Sequence, residues 1–173
     1  MTIINQTPSI AIRPLEPRDE ARCARLMCTS EPWATLGRDF DASLAVVRDP
    51  NGQVYVAEDD GRFAGFIVLS LVGVLNGYIR SIVVEPSQRG RGVGSELMAF
   101  AETRIFAGSP NVFLCVTSFN DRARALYERL GYRYVGELSD FFVRGVSELL
   151  YRKTRGPWTE FRPETITPVG TTQ

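Results

Sequence analysis

One stretch of the chain, residues 82–98, constrains the fold more than any other. It reads Ile-Val-Val-Glu-Pro-Ser-Gln-Arg-Gly-Arg-Gly-Val-Gly-Ser-Glu-Leu-Met. A β-branched run, three closely spaced glycines and an apolar periodic segment predict a strand, a tight turn and a helix. Glycine lets backbone N–H groups approach an anion closely, and a helix begins with unpaired N–H groups at its positive end. The stretch is therefore a candidate phosphate-binding loop, to which Arg89 and Arg91 add positive charge.

Two common phosphate-binding motifs do not fit this loop. The dinucleotide fingerprint needs Gly-x-Gly-x-x-Gly, but Gly94 comes one residue too early. The P-loop needs Lys-Ser or Lys-Thr after its last glycine, where this chain has Ser95-Glu96. A tight turn that merely needs small residues is the structural alternative, and glycine spacing alone does not exclude it.

Length and composition indicate one globular domain. The chain has 173 residues, of which 44% are hydrophobic and 23% charged, enough for a single core. Twenty basic and twenty acidic residues give a formal net charge of zero, so we expect no bulk attraction to nucleic acid or membranes. No apolar run approaches the length of a membrane span, and the first residues show no signal-peptide pattern. Three scattered cysteines favour a reduced, cytoplasmic protein.

The absence of histidine narrows the chemistry. It excludes Ser-His-Asp and Cys-His catalysis, as well as His-containing zinc sites. No metal is implied by the sequence. Any general base is then a carboxylate, an unusual residue or a relayed water molecule.

Periodicity and turn signals divide the chain into alternating elements. The continuous apolar run at 112–116 is typical of a strand buried on both faces, and Cys23 and Cys28 are predicted core thiols. We expect a domain over 1–155 and an extended or disordered tail over 156–173, which is rich in proline and threonine. The predicted strands cover 10–13, 54–57, 63–74, 78–84, 112–116, 132–138 and 147–152, and the predicted helices cover 19–29, 39–47, 93–106 and 120–130.

A second marked stretch lies at 118–132. Asn120 and Tyr127 are seven residues apart, which places them on one face of a helix, two turns from each other. An amide at a helix start can hold a polar ligand, and a phenol two turns further can donate a proton. The structural alternatives are an ordinary N-cap for Asn120 and a core tyrosine for Tyr127.

Together the two stretches resemble the GCN5-related N-acetyltransferase (GNAT) superfamily. Arg89, Gly92 and Gly94, preceded by Val84-x-Pro86, match its Arg-x-x-Gly-x-Gly acetyl-CoA loop. Residues 120–132 match its Asn-x-x-Ala-x-x-Leu-Tyr-x-x-x-Gly-Phe segment, with Tyr132 in place of the last Phe. The resemblance implies a mixed, mostly antiparallel sheet of six to seven strands flanked by about four helices.

The resemblance also implies a site. Acetyl-CoA would be the acyl donor, and Tyr127 would protonate the departing CoA thiolate after direct attack by a primary amine. Pantetheine would pair with the backbone of residues 82–84, and the pyrophosphate would bind the backbone of residues 90–95. The predicted cofactor-binding residues are Ile82, Val83, Val84, Arg89, Gly90, Arg91, Gly92, Val93, Gly94, Ser95, Asn120 and Tyr127.

One departure from the superfamily pattern concerns the general base. In the branch that acetylates protein N-termini, a glutamate often stands twelve residues before the catalytic tyrosine, where this chain has Cys115. A buried thiol is a poor base, and its apolar neighbours also argue against an acyl-enzyme. Four carboxylates stay open as alternatives, together with a relayed water molecule: Glu31, Glu85, Asp140 and Glu148.

The acceptor is not readable from the sequence. Residues 140–145 resemble the closing hairpin of ribosomal-protein-alanine-type N-terminal acetyltransferases, whereas Trp33, Phe141 and Phe142 could instead line a pocket for a small amine. Protein N-termini, lysine side chains and small amines all stay open as acceptors, and homodimers are common in the superfamily.

The alternative functions are a non-catalytic CoA-binding sensor on the same fold, an ATP- or NAD-binding domain, and a partner-binding protein whose tail docks through Trp158.

Overall fold

The strands and helices follow one another along the chain in the predicted order. A computed structural model describes residues 10–163. The strands are β1 (Ile10–Pro14), β2 (Gln53–Asp59), β3 (Arg62–Ser70), β4 (Tyr78–Val84), β5 (Asn111–Thr117), β6 (Arg133–Leu138) and β7 (Glu148–Thr154). The helices are α1 (Glu20–Cys28), α2 (Phe40–Val47), α3 (Val93–Phe106) and α4 (Asp121–Arg129), and short 3-10 turns cover Pro17–Asp19 and Pro86–Gln88.

The seven strands form one sheet in the order β1-β2-β3-β4-β5-β7-β6. Neighbouring strands pair antiparallel except β4 and β5, which are parallel because α3 carries the chain back across the sheet between them. The mixed, mostly antiparallel fold class is confirmed.

Helices cover both faces of the sheet. Leu97, Met98 and Ala101 of α3 are fully buried against one face, in a core cluster to which α4 also contributes. Cys23 and Met27 of α1 are fully buried in a second cluster on the opposite face, where α2 also packs. Cys23 is therefore a core thiol as predicted, whereas Cys28 is only half-buried.

β4 and β5 separate shortly after they meet. Their pairing is limited to Tyr78 with Phe113 and Ile79 with Leu114. At the same level, the register of the β3–β4 pair shifts between Val68 and Leu69. Such a bulge bends a strand and increases its local twist, which is consistent with β4 turning away from β5 here. The separation leaves backbone groups of β4 without a strand partner on the β5 side.

Two local predictions are corrected by the structure. The strand predicted over 63–74 ends at Ser70, because the following residues form a loop in which Gly73 and Gly77 have positive φ angles of 101° and 94°. The helix predicted over 19–29 covers Glu20–Cys28, and Asp19 precedes it without capping it through its side chain. Its carboxylate accepts hydrogen bonds from Arg13 Nη1 at 2.6 Å and from the backbone N–H of Glu16 at 3.0 Å.

The chain turns back on itself after β7. The backbone N–H of Glu160 donates to the carbonyl of Pro157, and the rings of Trp158 and Phe161 lie edge to face with centroids 5.7 Å apart. The predicted tail over 156–173 is covered only as far as 163; its remainder, like residues 1–9, lies outside the described residues. Among the helices of residues 10–163, none has both the length and the apolar character that a membrane crossing requires.

Candidate active site

The glycine-rich segment folds as a turn that exposes the N-terminus of α3. Gly90 and Gly92 have positive φ angles of 79° and 89°, which side-chain-bearing residues adopt at a cost. A Cβ atom at either position would meet nothing within 4 Å, so both glycines border open space. No side chain caps the first turn of α3, which begins at Val93. Its N–H groups and the positive end of its dipole are therefore available to an anion.

A cleft of about 710 Å³ lies beside this turn. Its volume falls within the range of small-molecule binding sites. It is lined by both separated strands, the glycine turn, α4 and the segment between α1 and α2. The predicted site residues on its wall are Ile82, Val84, Arg89, Gly90, Gly92, Val93, Gly94, Ser95, Asn120 and Tyr127.

Two of the predicted residues do not line the cleft. The side chain of Val83 is buried in the core cluster on the α1 side of the sheet, so only its backbone could serve a ligand. The guanidinium of Arg91 pairs with Asp59 at the end of β2, with Nη2 and Oδ2 2.7 Å apart. Arg89 does line the cleft, and its Nε donates to the carbonyl of Val84 at 3.3 Å.

Asn120 and Tyr127 occupy the positions on α4 that their spacing predicts. Asn120 is the N-cap: its Oδ1 accepts a hydrogen bond from the backbone N–H of Ala123 at 3.2 Å. Tyr127, two turns further, is 6% exposed and packs beside Tyr132 while also lining the cleft. Burial raises the pKa of Tyr127 above its ordinary value, so the phenol stays protonated at neutral pH.

Polar side chains on β5 and β7 line the same cleft from the other face of the sheet. Leu114 and Val116 belong to the core cluster on the α3 side, so Cys115 and Thr117 point the opposite way. Thr117 pairs with Glu148 across the strands, and its hydroxyl donates to Glu148 Oε1 at 2.7 Å. Residues 115, 117 and 148 all line the cleft.

Protonation in this group is governed by burial. Burial raises the pKa of Glu148, and the hydrogen bond from Thr117 opposes the shift. Burial also raises the pKa of Cys115, and the charge of Glu148 adds to that effect. At neutral pH the thiol is therefore protonated and inert as a base.

The other candidates named from the sequence divide into two groups. Glu31, Trp33 and Phe142 line the cleft. Asp140 does not; its carboxylate accepts a hydrogen bond from the backbone N–H of Gly145 and closes the hairpin between β6 and β7. Glu85 and Phe141 are also absent from the wall.

Among the cleft residues that the sequence analysis did not name as site residues are Tyr78, Arg80 and Arg38. Arg80 forms an ion pair with Asp49, which follows α2. Burial lowers the pKa of Arg38, and the charge of Arg80 adds to the effect. No sequence motif marks these three residues, because the elements that carry them meet only in the folded chain.

The part of the chain that the structure describes holds no group of three or more metal-ligating side chains.

Comparisons with known proteins identify relatives of this chain and a solved structure with the same fold. The chain is 29% identical over 158 residues to N-alpha-acetyltransferase RimI of Mycobacterium tuberculosis, covering 87% of this chain and 96% of that protein. It is 33% identical over 131 residues to an uncharacterised Mycobacterium leprae protein, covering 73% of this chain but only 35% of that longer protein. The crystal structure of Arabidopsis thaliana NAA60 in complex with acetyl-CoA shares the fold at a TM-score of 0.68 and 21% identity, covering 85% and 99% of the two chains.

A family model provides the assignment. The model described as the acetyltransferase (GNAT) family matches residues 18–132, well over half of the chain. That range contains both the glycine turn and the α4 segment on which the resemblance rests. The chain therefore belongs to the acetyltransferase (GNAT) family.

Proposed function

We propose that this protein transfers an acetyl group from acetyl-CoA to a primary amine by direct nucleophilic attack. One observation carries the proposal: the gap between β4 and β5 forms a cleft that joins the glycine turn to Tyr127. An extended ligand bound in that gap would have an anion site at one end and a proton donor at the other. The Arabidopsis neighbour, whose structure contains acetyl-CoA, has the same fold.

The cofactor would be held mainly by backbone groups. The unpaired edge of β4 at Ile82, Val83 and Val84 offers strand-like hydrogen bonds to an amide-bearing arm. The N–H groups of residues 90–95 offer an anion site, to which Arg89 adds charge. Asn120 lies on the cleft wall at the start of α4, where its amide can meet the same arm.

Tyr127 is proposed as the general acid. Amine attack on the thioester carbon forms a C–N bond, and breaking the C–S bond releases a thiolate. A phenol whose pKa is raised by burial is protonated at neutral pH and can donate its proton to that thiolate. Its position on the cleft wall supports the role, because a proton donor must come within hydrogen-bond reach of the sulfur.

The acceptor class is proposed only as a primary amine. The RimI relative is named for acetylation of α-amines, which makes a peptide N-terminus a suitable first acceptor to test. The cleft wall includes the apolar side chains of Trp33, Leu36 and Phe142, which suit a peptide side chain or a small amine. We further infer that the catalytic domain spans 1–155 and operates in the cytoplasm.

Two measurements test the proposal. Acetyl-CoA or CoA at a hundredfold excess over its dissociation constant should stabilise the fold by about 2.7 kcal/mol in thermal unfolding, whereas ATP and NAD should not. An amine panel should then yield thiol release together with an N-acetylated product. Stabilisation by ATP or NAD instead would contradict the proposal and favour a nucleotide-binding domain. Stabilisation by CoA without transfer to any amine would favour a CoA-binding sensor.

A further inference from the structure

We propose that Glu148 is the general base that takes a proton from the acceptor ammonium. The inference rests on the proposed transfer to an amine and assigns the step that the thiol at position 115 cannot perform.

Glu148 lies at the start of β7, where its side chain is aimed into the cleft. It pairs with Thr117 of β5, and the next cleft-lining residue toward the start of β5 on that face is Cys115. The residue is only 4% exposed, so the carboxylate is held inside the wall rather than at the rim. The carboxylate of Glu148 on β7 thus lies in the same part of the cleft wall as Cys115 on β5.

Few other carboxylates can serve the cleft. Within residues 10–163, the acidic residues on its wall are Glu31 and Glu148. Glu31 is exposed in the irregular segment after α1, where solvent competes for its hydrogen bonds. Asp140 is engaged in its own hairpin, and Glu85 does not reach the wall. Glu148 is therefore the carboxylate that is both buried and directed at the reaction space.

One hydrogen bond positions the Glu148 carboxylate. Thr117 donates to Oε1, and within residues 10–163 no other group donates a hydrogen bond to the carboxylate of Glu148. Oε2 is thus left for a substrate proton. The other titratable or charged side chains that line the cleft are Glu31, Arg38, Tyr78, Arg80, Arg89, Cys115, Arg122, Tyr127 and Arg129.

The environment makes the Glu148 carboxylate more basic. Burial raises the pKa of Glu148, while Thr117 stabilises the ionised form and limits the shift. General bases act best when their pKa lies close to the working pH. The carboxylate is therefore a stronger base than one in water, and the hydrogen bond from Thr117 opposes part of the shift.

The proposed step balances in protons and bonds. Glu148 takes one proton from the ammonium and returns it to solvent through the cleft. The neutral amine forms a C–N bond to the acetyl carbon, and the C–S bond breaks as the tetrahedral intermediate collapses. The thiolate takes the proton of Tyr127, and the second proton lost by the amine nitrogen returns to Tyr127 through solvent. The products are the amide, the CoA thiol and one released proton.

The acid and the base lie on opposite faces of the sheet. Tyr127 packs with the core cluster on the α3 side, whereas Thr117 and Glu148 point to the other side. A thioester in the gap between β4 and β5 would thus be approached by the amine from one face and protonated at sulfur from the other.

The test is the pH profile of kcat/KM for acetyl transfer by wild type and Glu148→Gln. In wild type we expect a plateau between the pKa of Glu148 and the pKa of the amine. In Glu148→Gln we expect kcat/KM to be about 10²–10⁴-fold lower and to rise tenfold per pH unit, because only the free amine then reacts. A plateau of unchanged height and position in Glu148→Gln would overturn the inference.

Further variants separate a catalytic role from a structural one. Thr117→Val should keep the plateau but move its acidic limb to higher pH, since the hydrogen bond that lowers the pKa of Glu148 is lost. Glu137→Gln, which changes an exposed carboxylate on β6, is the matched control and should leave the profile unchanged. Stabilisation of Glu148→Gln by acetyl-CoA in thermal unfolding shows that the fold and cofactor site are intact. Absence of transfer in wild type would instead contradict the proposed function itself.

Discussion

The guanidinium of Arg91 contacts the carboxylate of Asp59, with Nη2 and Oδ2 2.7 Å apart. The carboxylate is almost fully buried, with 2% of the side chain exposed, whereas Arg91 is about half exposed. The contact joins the glycine turn to the end of β2. Arg91 therefore fixes the turn from outside, while Arg89 faces the cleft.

Replacing Arg91 should reduce stability. In Arg91→Met the buried Asp59 carboxylate loses its cation, so the free energy of unfolding should fall by about 1–2 kcal/mol, a value discounted for the exposure of the arginine. Urea unfolding measures the change. Arg89→Met is the contrasting variant: it should weaken acetyl-CoA binding with little effect on stability. Equal stability losses in both variants would contradict the division of roles.

Replacing Tyr127 should affect turnover and not binding. Tyr127→Phe removes the proposed proton donor, so kcat should fall by about 10²–10⁴-fold. The stabilisation of the fold by acetyl-CoA should stay within the error of the wild-type value, because the ring and its packing are retained. Tyr134→Phe, on the exposed side of β6, is the control and should leave both quantities unchanged. Undiminished turnover in Tyr127→Phe would exclude its role as the acid.

A side chain at Gly92 should distort the anion site. The φ angle of 89° costs an alanine about 1–2 kcal/mol, so Gly92→Ala should lower the free energy of unfolding by that amount. It should also weaken binding of CoA, measured by calorimetry, because the turn that presents the N–H groups must shift. Gly108→Ala, where φ is not positive and no atom lies within 4 Å of the new Cβ, is the matched control. Wild-type CoA affinity in Gly92→Ala would contradict the site.

Glu148→Gln should gain stability over wild type as the pH rises. The pKa of Glu148 is raised above its ordinary value of 4.5 in the folded protein. The fold therefore binds the proton more tightly, and this contribution to stability is complete below pH 4.5 and lost as the pH rises through the folded pKa. Glutamine can still accept the Thr117 hydrogen bond without carrying a charge. Urea unfolding at a series of pH values should show the difference between the two proteins growing with pH; a constant difference would refute it.

The fold could be predicted from local signals. The glycine turn, the Asn120 cap and the order of the strands each depend on residues close together in the chain, and they lie where they were predicted apart from the end of β3. The predicted β3 was too long because residues 71–74 are apolar enough for a strand, whereas the loop needs the positive φ of Gly73.

The site could be predicted only in part, because several of its contacts join distant residues. Thr117 and Glu148 are 31 residues apart and meet through the β5–β7 register, which no local pattern reveals. The pairing of Arg91 with Asp59 likewise depends on where β2 ends relative to the turn. The sequence placed Glu148 among four candidate carboxylates, and burial together with cleft lining distinguishes it from the others.

Acetyl transfer in the gap between β4 and β5 is the activity that we propose for this protein. Its most direct test is the release of the CoA thiol from acetyl-CoA by the wild-type protein, measured with and without peptide N-termini, lysine analogues and small amines. Thiol release should depend on one of these amines and should be matched by an equal amount of N-acetylated product. A protein that acetyl-CoA stabilises but that releases no thiol with any amine would not be an acetyltransferase for these acceptors, and the proposed function would be wrong.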